Sequence, residues 1–204
     1  ATAMNGIPVV NITINPEEYK KVIESESHEY KATDASISID VPSGYTGNFS
    51  DTELSDIKDL PLEYIRGRGN STWSDSKKPF KIKLKKSTDL LGMGKNKNWA
   101  LMANAFDGTL IKNRIISYIG RRLGLDFTPK SEPVDLTVNG EYIGSYTLSH
   151  IVKIGSARVD IDELTASDNK EPEVTGGYLL SLEPYQDEPL ENVFQTRSGV
   201  LFMT

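Results

Sequence analysis

The chain has 204 residues, of which 37% are hydrophobic and 25% charged, and a formal net charge of −6 at pH 7. These proportions are ordinary for a globular protein, and no apolar run approaches the roughly 20 residues that a membrane-spanning helix needs. The absence of cysteine excludes disulfide bonds, thiolate metal sites and cysteine nucleophiles. Two histidines, His28 and His150, are too few for a multi-histidine metal site.

The N-terminal part of the chain predicts two strands and a short helix. Residues 7–14 are an apolar run typical of a strand, and Asn15-Pro16 begins a helix over residues 17–25. Residues 30–41 alternate in part between apolar and polar side chains, which predicts a second strand.

The middle of the chain differs from the rest in charge. Residues 65–122 carry fourteen basic and three acidic side chains, a net charge of +11, whereas residues 1–64 and 123–204 carry net charges of −8 and −9. A predicted strand at 62–65 leads into a glycine-containing turn inside this basic segment. Concentrated Lys and Arg beside such a turn is what an anionic ligand needs, and the commonest such ligand is a phosphate.

The turn reads Arg66-Gly67-Arg68-Gly69-Asn70. Its two glycines permit backbone conformations in which N–H groups converge on an anion, and its two arginines add positive charge. A tight β-turn with solvated arginines is the alternative, because a single G-x-G spacing is a weak signal.

A lysine-bearing strand follows the turn. Residues 80–84 alternate strictly, so Lys81 and Lys83 lie on the same face, roughly 7 Å apart. Lys78-Pro79 stands at the entrance of this strand, where proline is tolerated. A charged edge strand that resists aggregation is the alternative, but it does not explain why the glycine turn comes directly before.

The principal helix comes after a buried strand predicted at 99–103. Asp107 or Thr109 caps this helix, and Gly124 ends it. Its apolar side chains form an i, i+4 stripe of Ile111, Ile115, Ile119 and Leu123. Asn113 and Arg114, beside the stripe, are expected to point toward the body of the protein.

The last third of the chain predicts more strands. Asn139-Gly140 joins residues 132–138 and 141–148 in a β-hairpin. Residues 166–175 are polar and predict a mobile loop, and residues 177–182 and 200–203 predict two further strands. Because the last of these is apolar and has no closing turn, we expect the fold to continue beyond residue 204.

Seven motifs in order resemble a known family. They are RGRGNSTW (66–73), KKPFKIKL (77–84), LLG (90–92), WALMANAFD (99–107), LIKNRI (110–115), VNGEYIGSYTLS (138–149) and ARVDI (157–161). Together they resemble the kinase-like family of spore-coat protein H, known as CotH. The resemblance covers residues 60–185, whereas residues 1–59 fit it only loosely.

The resemblance implies an α+β fold. This fold is a twisted, mainly antiparallel β-sheet with one principal helix, like the N-terminal lobe of an atypical protein kinase. Residues 1–204 would then be a single lobe with an extension at 1–59 and a core at 60–204, and the C-terminal catalytic lobe would be missing.

The implied activity is ATP-dependent phosphorylation of serine on surface or coat proteins. ATP and Mg²⁺ or Mn²⁺ are the implied cofactors of the complete domain. The implied partners are a nucleotide, a protein substrate and cell-surface or cellulosomal proteins. The implied location is extracellular, at the cell surface or on the spore coat.

Carried onto this chain, the resemblance assigns nucleotide binding to the turn and to a lysine after it. The residues are Arg66, Gly67, Arg68, Gly69 and Asn70, with Lys78 or Lys81 as the phosphate-pairing lysine. Framework or substrate-side positions are Asn104, Asp107, Arg114 and His150. No catalytic or metal-binding residue is assigned, because the family's aspartates for those roles lie in the missing lobe. His150 stands where a glutamate is expected, and a neutral imidazole cannot replace a carboxylate in pairing a lysine.

Other functions remain open on the residues alone. A non-catalytic structural or binding module of a secreted or cellulosome-type assembly, such as a pseudokinase, is favoured by His150. A carbohydrate-binding β-domain would use Trp73, the better surface candidate of the two tryptophans. Nucleic-acid binding is disfavoured, because the basic segment lacks interleaved aromatics and its acidic flanks would repel a polyanion.

Overall fold

A computed structural model describes residues 6–156, 158–165, 167–175, 177–179, 193–195, 197 and 201–203. The chain divides into two compact units, Ala1–Val152 and Lys153–Thr204. Neither helix in the described ranges has the length and apolarity needed to cross a bilayer.

The first unit is a closed β-barrel of seven strands with two short helices. In chain order, its elements are β1 (Val9–Ile14), α1 (Pro16–Glu24), β2 (Ala35–Asp40), β3 (Ile57–Gly67), β4 (Phe80–Asp89), β5 (Lys95–Met102), α2 (Lys112–Arg122), β6 (Ser131–Val138) and β7 (Glu141–His150). The strand order around the barrel is β1-β2-β3-β4-β5-β7-β6. All neighbouring strands are antiparallel except β1 and β6, which are parallel.

The predicted fold class, a kinase-like N-terminal lobe with one principal helix, is therefore wrong. Strand β1 pairs with β2 on one edge and with β6 on the other, through the register Val9↔Asp135 to Ile12↔Val138. This second pairing closes the sheet on itself, so no strand of the barrel is left with an unpaired edge. The closing strand comes from the N-terminal stretch that the sequence resemblance fitted only loosely.

Side-chain hydrogen bonds reinforce the parallel junction. Thr137 Oγ1 donates to Asn11 Oδ1 at 2.7 Å. At the end of β1, the Ile14 N–H donates to Asn139 Oδ1 at 2.9 Å, and the Asn139 N–H donates to the Ile12 carbonyl at 2.8 Å. The β6–β7 turn is thus bonded directly to β1.

The barrel interior is the hydrophobic core. Alternate apolar residues of every strand point inward and are almost completely buried, and the large ones include Trp99, Phe80, Ile37, Ile65 and Leu101. This alternation is the period-2 pattern that a strand with one buried face requires.

Several local predictions are confirmed. Helix α1 begins after Asn15, whose Oδ1 accepts from the backbone N–H groups of Glu17 and Glu18. Asn139 and Gly140 both have positive φ, at 51° and 85°, as a two-residue hairpin turn between β6 and β7 demands. Gly124, with φ of 73°, follows α2 and ends it.

Helix α2 forms where it was predicted, but its apolar stripe does not face the core. Ile111, Ile115 and Ile119 are each about 45% exposed, and Leu123 is 74% exposed. An i, i+4 stripe of this kind normally marks the face that packs on the core. Here Asn113 lies on the inward side instead.

The second unit contains little regular structure. Strands β8 (Val193–Gln195) and β9 (Leu201–Met203) pair antiparallel, and a short 3₁₀ turn spans Glu173–Thr175. The strand predicted at 200–203 is thus found over Leu201–Met203. Of the strand predicted at 177–182, residues 177–179 are not in a strand, and residues 180–182 lie outside the described residues.

A fully buried carboxylate holds the loop between β2 and β3 against the barrel. Glu132, on β6, accepts hydrogen bonds from the Asn48 backbone N–H at 2.6 Å, Asn48 Nδ2 at 2.5 Å and Tyr45 Oη at 3.1 Å. Burial, followed by the charge of Glu132, raises the pKa of Tyr45 well above its ordinary value, so the phenol stays a donor. Three donors converging on one carboxylate compensate its loss of water.

We predict that Glu132→Gln lowers the free energy of unfolding by about 2 kcal/mol, because the amide nitrogen faces donors and leaves a buried N–H group unsatisfied. Urea denaturation measures this change. Glu141→Gln is the matched control, since Glu141 is exposed and accepts no side-chain hydrogen bond within the described part of the chain. Equal stability of the two variants would contradict a loop-anchoring role for Glu132.

Candidate anion-binding cleft

The two glycines of the turn have different physical roles. Gly67, the last residue of β3, is buried beneath Trp73, and a Cβ added there would lie 2.5 Å from Trp73 Cη2 and 2.7 Å from His28 Cβ. Gly69 has φ of 87°, a left-handed conformation that glycine adopts without strain. Gly67 is therefore required for packing, and Gly69 for the turn.

The loop after the turn is held against the barrel by its own side chains. Trp73 is only 7% exposed, packs edge-on against Phe80 and donates from Nε1 to the Ser25 carbonyl at 2.9 Å. The interpretation of Trp73 as a surface residue for stacking on a sugar is wrong, because its ring lies in the interior.

Lys78 is bound within the same loop. Its Nζ donates to the Trp73 carbonyl at 2.5 Å and lies 4.9 Å from the centre of the Trp73 ring. The Lys78 carbonyl in turn accepts from Tyr146 Oη at 2.9 Å. In this structure Lys78 anchors the loop rather than extending from it.

Lys77 is a second anchor, which the sequence analysis did not single out. Its Nζ donates to the Ser145 carbonyl at 2.5 Å and lies 4.7 Å from the centre of the Tyr146 ring. Burial lowers the pKa of Lys77, and the nearby charge of Asp135 opposes that shift. No local pattern could reveal this contact, because its partners lie 68 residues away in sequence.

Arg66 and Lys81 lie opposite each other on the outer face of the barrel. They are register partners of β3 and β4, and their neighbours Gly67 and Phe80 are buried. Arg66 Nη1 donates to Glu29 Oε1 at 2.7 Å, so the Arg66 charge is already paired. Lys81 has no hydrogen-bond or ion-pair partner among the residues that the structure describes.

Arg68 is the cation with the most unusual surroundings. Burial lowers the pKa of its guanidinium, and the like charge of Arg66 adds to that shift. Within the described ranges its guanidinium has no carboxylate partner and donates no hydrogen bond. A desolvated guanidinium in this state favours binding an anion.

Arg68 borders two adjoining recesses. The smaller, which we call the Arg68 recess, has a volume of about 140 Å³ and is lined by Arg68, Thr72, Pro79, Met102, Ala103, Asn104 and Asn113. The larger, which we call the helix–sheet cleft, has a volume of about 610 Å³ and lies between α2 and the outer faces of β5, β6 and β7. Arg68, Met102 and Asn113 line both.

Small side chains explain why the helix–sheet cleft is open. Ser117 and Gly120 of α2 face it from one side, and Ser131 and Ser149 form part of the opposite wall. Residues this small cannot fill the space between a helix and a sheet, which normally pack with few voids. Thr128, also in the lining, has a buried Oγ1 with no hydrogen-bond partner among the described residues.

Asn104 connects the cleft walls. With φ of 51°, it donates from Nδ2 to Thr147 Oγ1 at 2.9 Å, and its Oδ1 accepts from Asn113 Nδ2 at 3.3 Å. The chain of bonds runs from β7 to α2 and places two amide side chains beside Arg68. The expectation that Asn113 points toward the body of the protein is confirmed.

The N-cap residue of α2 is Ile111, which makes no side-chain cap hydrogen bond, so the prediction of Asp107 or Thr109 at that position is wrong. Asp107 nevertheless bonds the first N–H group of the helix from five residues upstream. Its Oδ2 accepts from the Lys112 N–H at 2.9 Å, while its Oδ1 accepts from the Thr109 hydroxyl at 2.5 Å and the Thr109 N–H at 3.0 Å. The Thr109 hydroxyl, with the two backbone N–H groups, lowers the pKa of Asp107 to about 2. Asp107 is therefore a structural residue of the helix start.

Arg114 and His150 take different positions from the rest. Arg114 lies near Tyr45, the phenol that donates to Glu132, and its positive charge opposes the rise in the pKa of Tyr45. His150 is 5% exposed, and its ring packs edge-on against Trp99 with Nε2 3.0 Å from the Met93 carbonyl. It also borders the helix–sheet cleft.

The structure thus brings together some of the predicted site residues and separates others. Arg68 and Asn104 line one recess together with Asn113, which was not predicted as a site residue, and Arg66 and Lys81 lie on the neighbouring outer face. Lys78 is turned into its own loop. Among the described residues, no group of three or more His, Asp or Glu side chains is arranged to hold a metal ion.

A family model described as CotH kinase protein matches residues 65–189, more than half of the chain. The match begins at the end of β3, so the barrel-closing strands β1 and β2 lie outside it. A search of curated proteins finds no match.

We predict that Gly67→Ala lowers the free energy of unfolding by about 1–3 kcal/mol, the usual effect of overpacking a well-packed core, because its methyl group meets the Trp73 ring. Thermal or urea denaturation measures the loss. Gly108→Ala is the control, since a Cβ there meets nothing within 4 Å. If Gly67→Ala is as stable as Gly108→Ala, packing does not explain the glycine.

The depressed pKa of Asp107 predicts a pH dependence of stability. Because the folded pKa of about 2 lies below the unfolded value of about 3.9, the carboxylate stabilises the fold above pH 4, and this effect is lost as pH falls toward 2. The stability difference between wild type and Asp107→Asn should therefore shrink from pH 5 to pH 2, as measured by urea midpoints. Asp126→Asn, at an exposed carboxylate, is the control. A difference for Asp107→Asn that stays constant with pH would contradict this assignment.

Proposed function

The chain belongs to the CotH kinase protein family, and from this we propose that the Arg68 recess binds the phosphate groups of ATP. In the intact protein, the terminal phosphate would be transferred to a serine of a surface or coat protein. The observation that carries the proposal is Arg68, a partly buried guanidinium that borders the recess and has no carboxylate partner among the described residues.

The chemistry of Arg68 suits a phosphate. A guanidinium presents a planar fork of donors that bonds two phosphate oxygens at once. Because burial has already removed much of its water, an incoming anion restores the interactions that the folded protein lacks. Arg66 cannot substitute, since Glu29 already neutralises it.

The surroundings of Arg68 also suit a nucleotide. Thr72, Asn104 and Asn113 add a hydroxyl and two amides at the Arg68 recess. The adjoining helix–sheet cleft, at about 610 Å³, lies in the size range of small-molecule sites, with apolar walls that include Leu125 and Phe127. With the phosphates bound in the Arg68 recess, the nucleoside would lie in the adjoining helix–sheet cleft.

Of the two predicted lysines, we favour Lys81 over Lys78 for phosphate pairing. Lys81 is paired in register with Ala100, and Ala100 with Ser149, a residue of the cleft wall. With strands about 4.8 Å apart, Lys81 lies roughly 10 Å from Ser149 along this row of outward-facing residues. Lys78 would first have to give up its bond to the Trp73 carbonyl.

The described residues contain no cluster of His, Asp or Glu side chains that fits a metal ion. Mg²⁺ or Mn²⁺, which the family resemblance implies, would neutralise charge on the transferred phosphate in the complete domain. The proposal for this chain is limited to binding and orienting the nucleotide.

The alternative function is a non-catalytic binding module of a surface assembly. The position of His150 favours it, because the imidazole is buried against the Trp99 ring with Nε2 beside the Met93 carbonyl, as a structural residue of the barrel would be. The same recess would then bind an anionic ligand without transferring a phosphate.

We predict that Arg68→Ala raises the dissociation constant for ATP at least tenfold, because a hydrogen bond to a charged group contributes about 1.5–3 kcal/mol. Lys81→Met should weaken binding several-fold for the same reason. Isothermal titration calorimetry with ATP on the intact protein measures both. Lys85→Met, at an exposed lysine further along the same strand, is the control and should bind as wild type does.

Unchanged ATP affinity in Arg68→Ala would refute the phosphate assignment. Transfer of labelled phosphate from ATP to serine then separates the two functions. Tight, Arg68-dependent ATP binding without any transfer by the intact protein would support the binding module instead of the kinase.

A further inference from the structure

Helix α2 exposes its apolar side and turns its polar side inward. At about 100° per residue, its apolar side chains fall within one sector of about 160°. They are Ile111, Ile115, Ile116, Tyr118, Ile119 and Leu123, and all are between 44% and 74% exposed. Asn113, Ser117 and Gly120 lie on the opposite side and line the helix–sheet cleft, which Ile116, at the edge of the apolar sector, also borders.

Contacts at both ends of α2 and on its polar side hold the helix in this orientation. Asp107 holds the first turn through the Lys112 N–H, and Gly124 closes the last turn on the Arg121 carbonyl. On the inward side, Asn113 bonds Asn104, and Arg121 lies over the Phe49 ring at 5.0 Å. Anchors at both ends and on the polar side therefore fix the direction of the apolar side.

The exposed patch is large for a surface left in water. Six neighbouring apolar side chains, each about half exposed or more, make a contiguous area on the order of several hundred Å², the size at which exposed apolar patches mark interaction sites. The patch meets the condition for an interface core.

The charges of the patch restrict what can bind there. Lys112 and Arg122 lie inside the apolar sector, and helix α2 contains no acidic residue. Lys112 has one carboxylate, Asp107, at 3.8 Å, and Arg122 has none within the described part of the chain. A surface that buries these cations must bring carboxylates to them.

We propose that the outward face of α2 is a docking site for a partner protein with an apolar surface rimmed by carboxylates. A second copy of this chain is disfavoured, because two such helices would bring Lys112 and Arg122 against like charges. The cations of α2 would also attract an anionic membrane, but the acidic segments on either side of this basic one, with net charges of −8 and −9, oppose it. The proposal stands apart from ATP binding, since the residues on which it is tested, Lys112, Ile115, Ile119 and Arg122, do not line the cleft.

Two synthetic helical peptides test the proposal on the intact protein. Both carry the same stripe of leucines, one flanked by glutamates and the other by lysines, and fluorescence anisotropy measures their binding. The glutamate peptide should bind at least tenfold more tightly than the lysine peptide. The double variant Ile115→Asp/Ile119→Asp should weaken that binding at least tenfold, and Lys112→Glu/Arg122→Glu should abolish the preference between the peptides.

Leu164→Asp, at an exposed leucine of the second unit, is the control and should leave binding unchanged. Equal affinity for the two peptides, or insensitivity to the α2 variants, would overturn the proposal. So would a dimer in sedimentation equilibrium that Ile115→Asp/Ile119→Asp dissociates, since the occupant would then be a second copy. Binding to phosphatidylglycerol vesicles that the same variant abolishes, with no peptide binding, would assign the face to a membrane. The α2 variants are also titrated with ATP. Unchanged ATP affinity shows that a loss of peptide binding does not come from damage to the phosphate site.

Discussion

The parallel pairing of β1 with β6 is the constraint on which the rest of the structure depends. It closes a sheet whose other six junctions are antiparallel, and it is fastened by Asn11, Thr137 and Asn139. Without it, β1 and β6 would each present an unpaired edge, and the interior packing around Trp99 and Phe80 would be open on one side. Closure also fixes which face of every strand is outside, and the candidate site is built on that outer face.

The candidate site exists because packing is incomplete at one place on the barrel wall. Serines on β6 and β7 face Ser117 and Gly120 on α2, and this combination leaves a cleft where larger side chains would have filled the space. Arg68 lines this cleft and the adjoining recess, and the surrounding protein partly buries it. The same arrangement turns the polar side of α2 inward and leaves its isoleucines outside. One departure from ordinary helix–sheet packing therefore accounts for both the cleft and the exposed apolar face.

The loop after the glycine turn illustrates how contacts distant in sequence assign roles to similar residues. Lys77, Lys78 and Lys81 look alike in a list of basic side chains. In the fold, Lys77 reaches the Ser145 carbonyl, Lys78 the Trp73 carbonyl, and Lys81 lies on the outer face beside Arg66. Two of these lysines hold the loop, and their ammonium groups are engaged with backbone carbonyls. The glycines divide in the same way, with Gly67 making room for Trp73 and Gly69 making the turn.

Local patterns of the sequence determined most secondary structure and the family. The strand alternation of residues 80–84, the Asn15 cap and the Asn139-Gly140 turn depend on near neighbours in the chain, so they could be recognised without coordinates. The motifs that begin at Arg66 were sufficient to identify the family. Barrel closure, the burial of Trp73, the outward direction of the α2 stripe and the isolation of the Arg68 guanidinium were decided only by the tertiary structure. Each of these depends on which surfaces meet in the folded chain. A periodic pattern shows that a face is apolar without showing what lies against it.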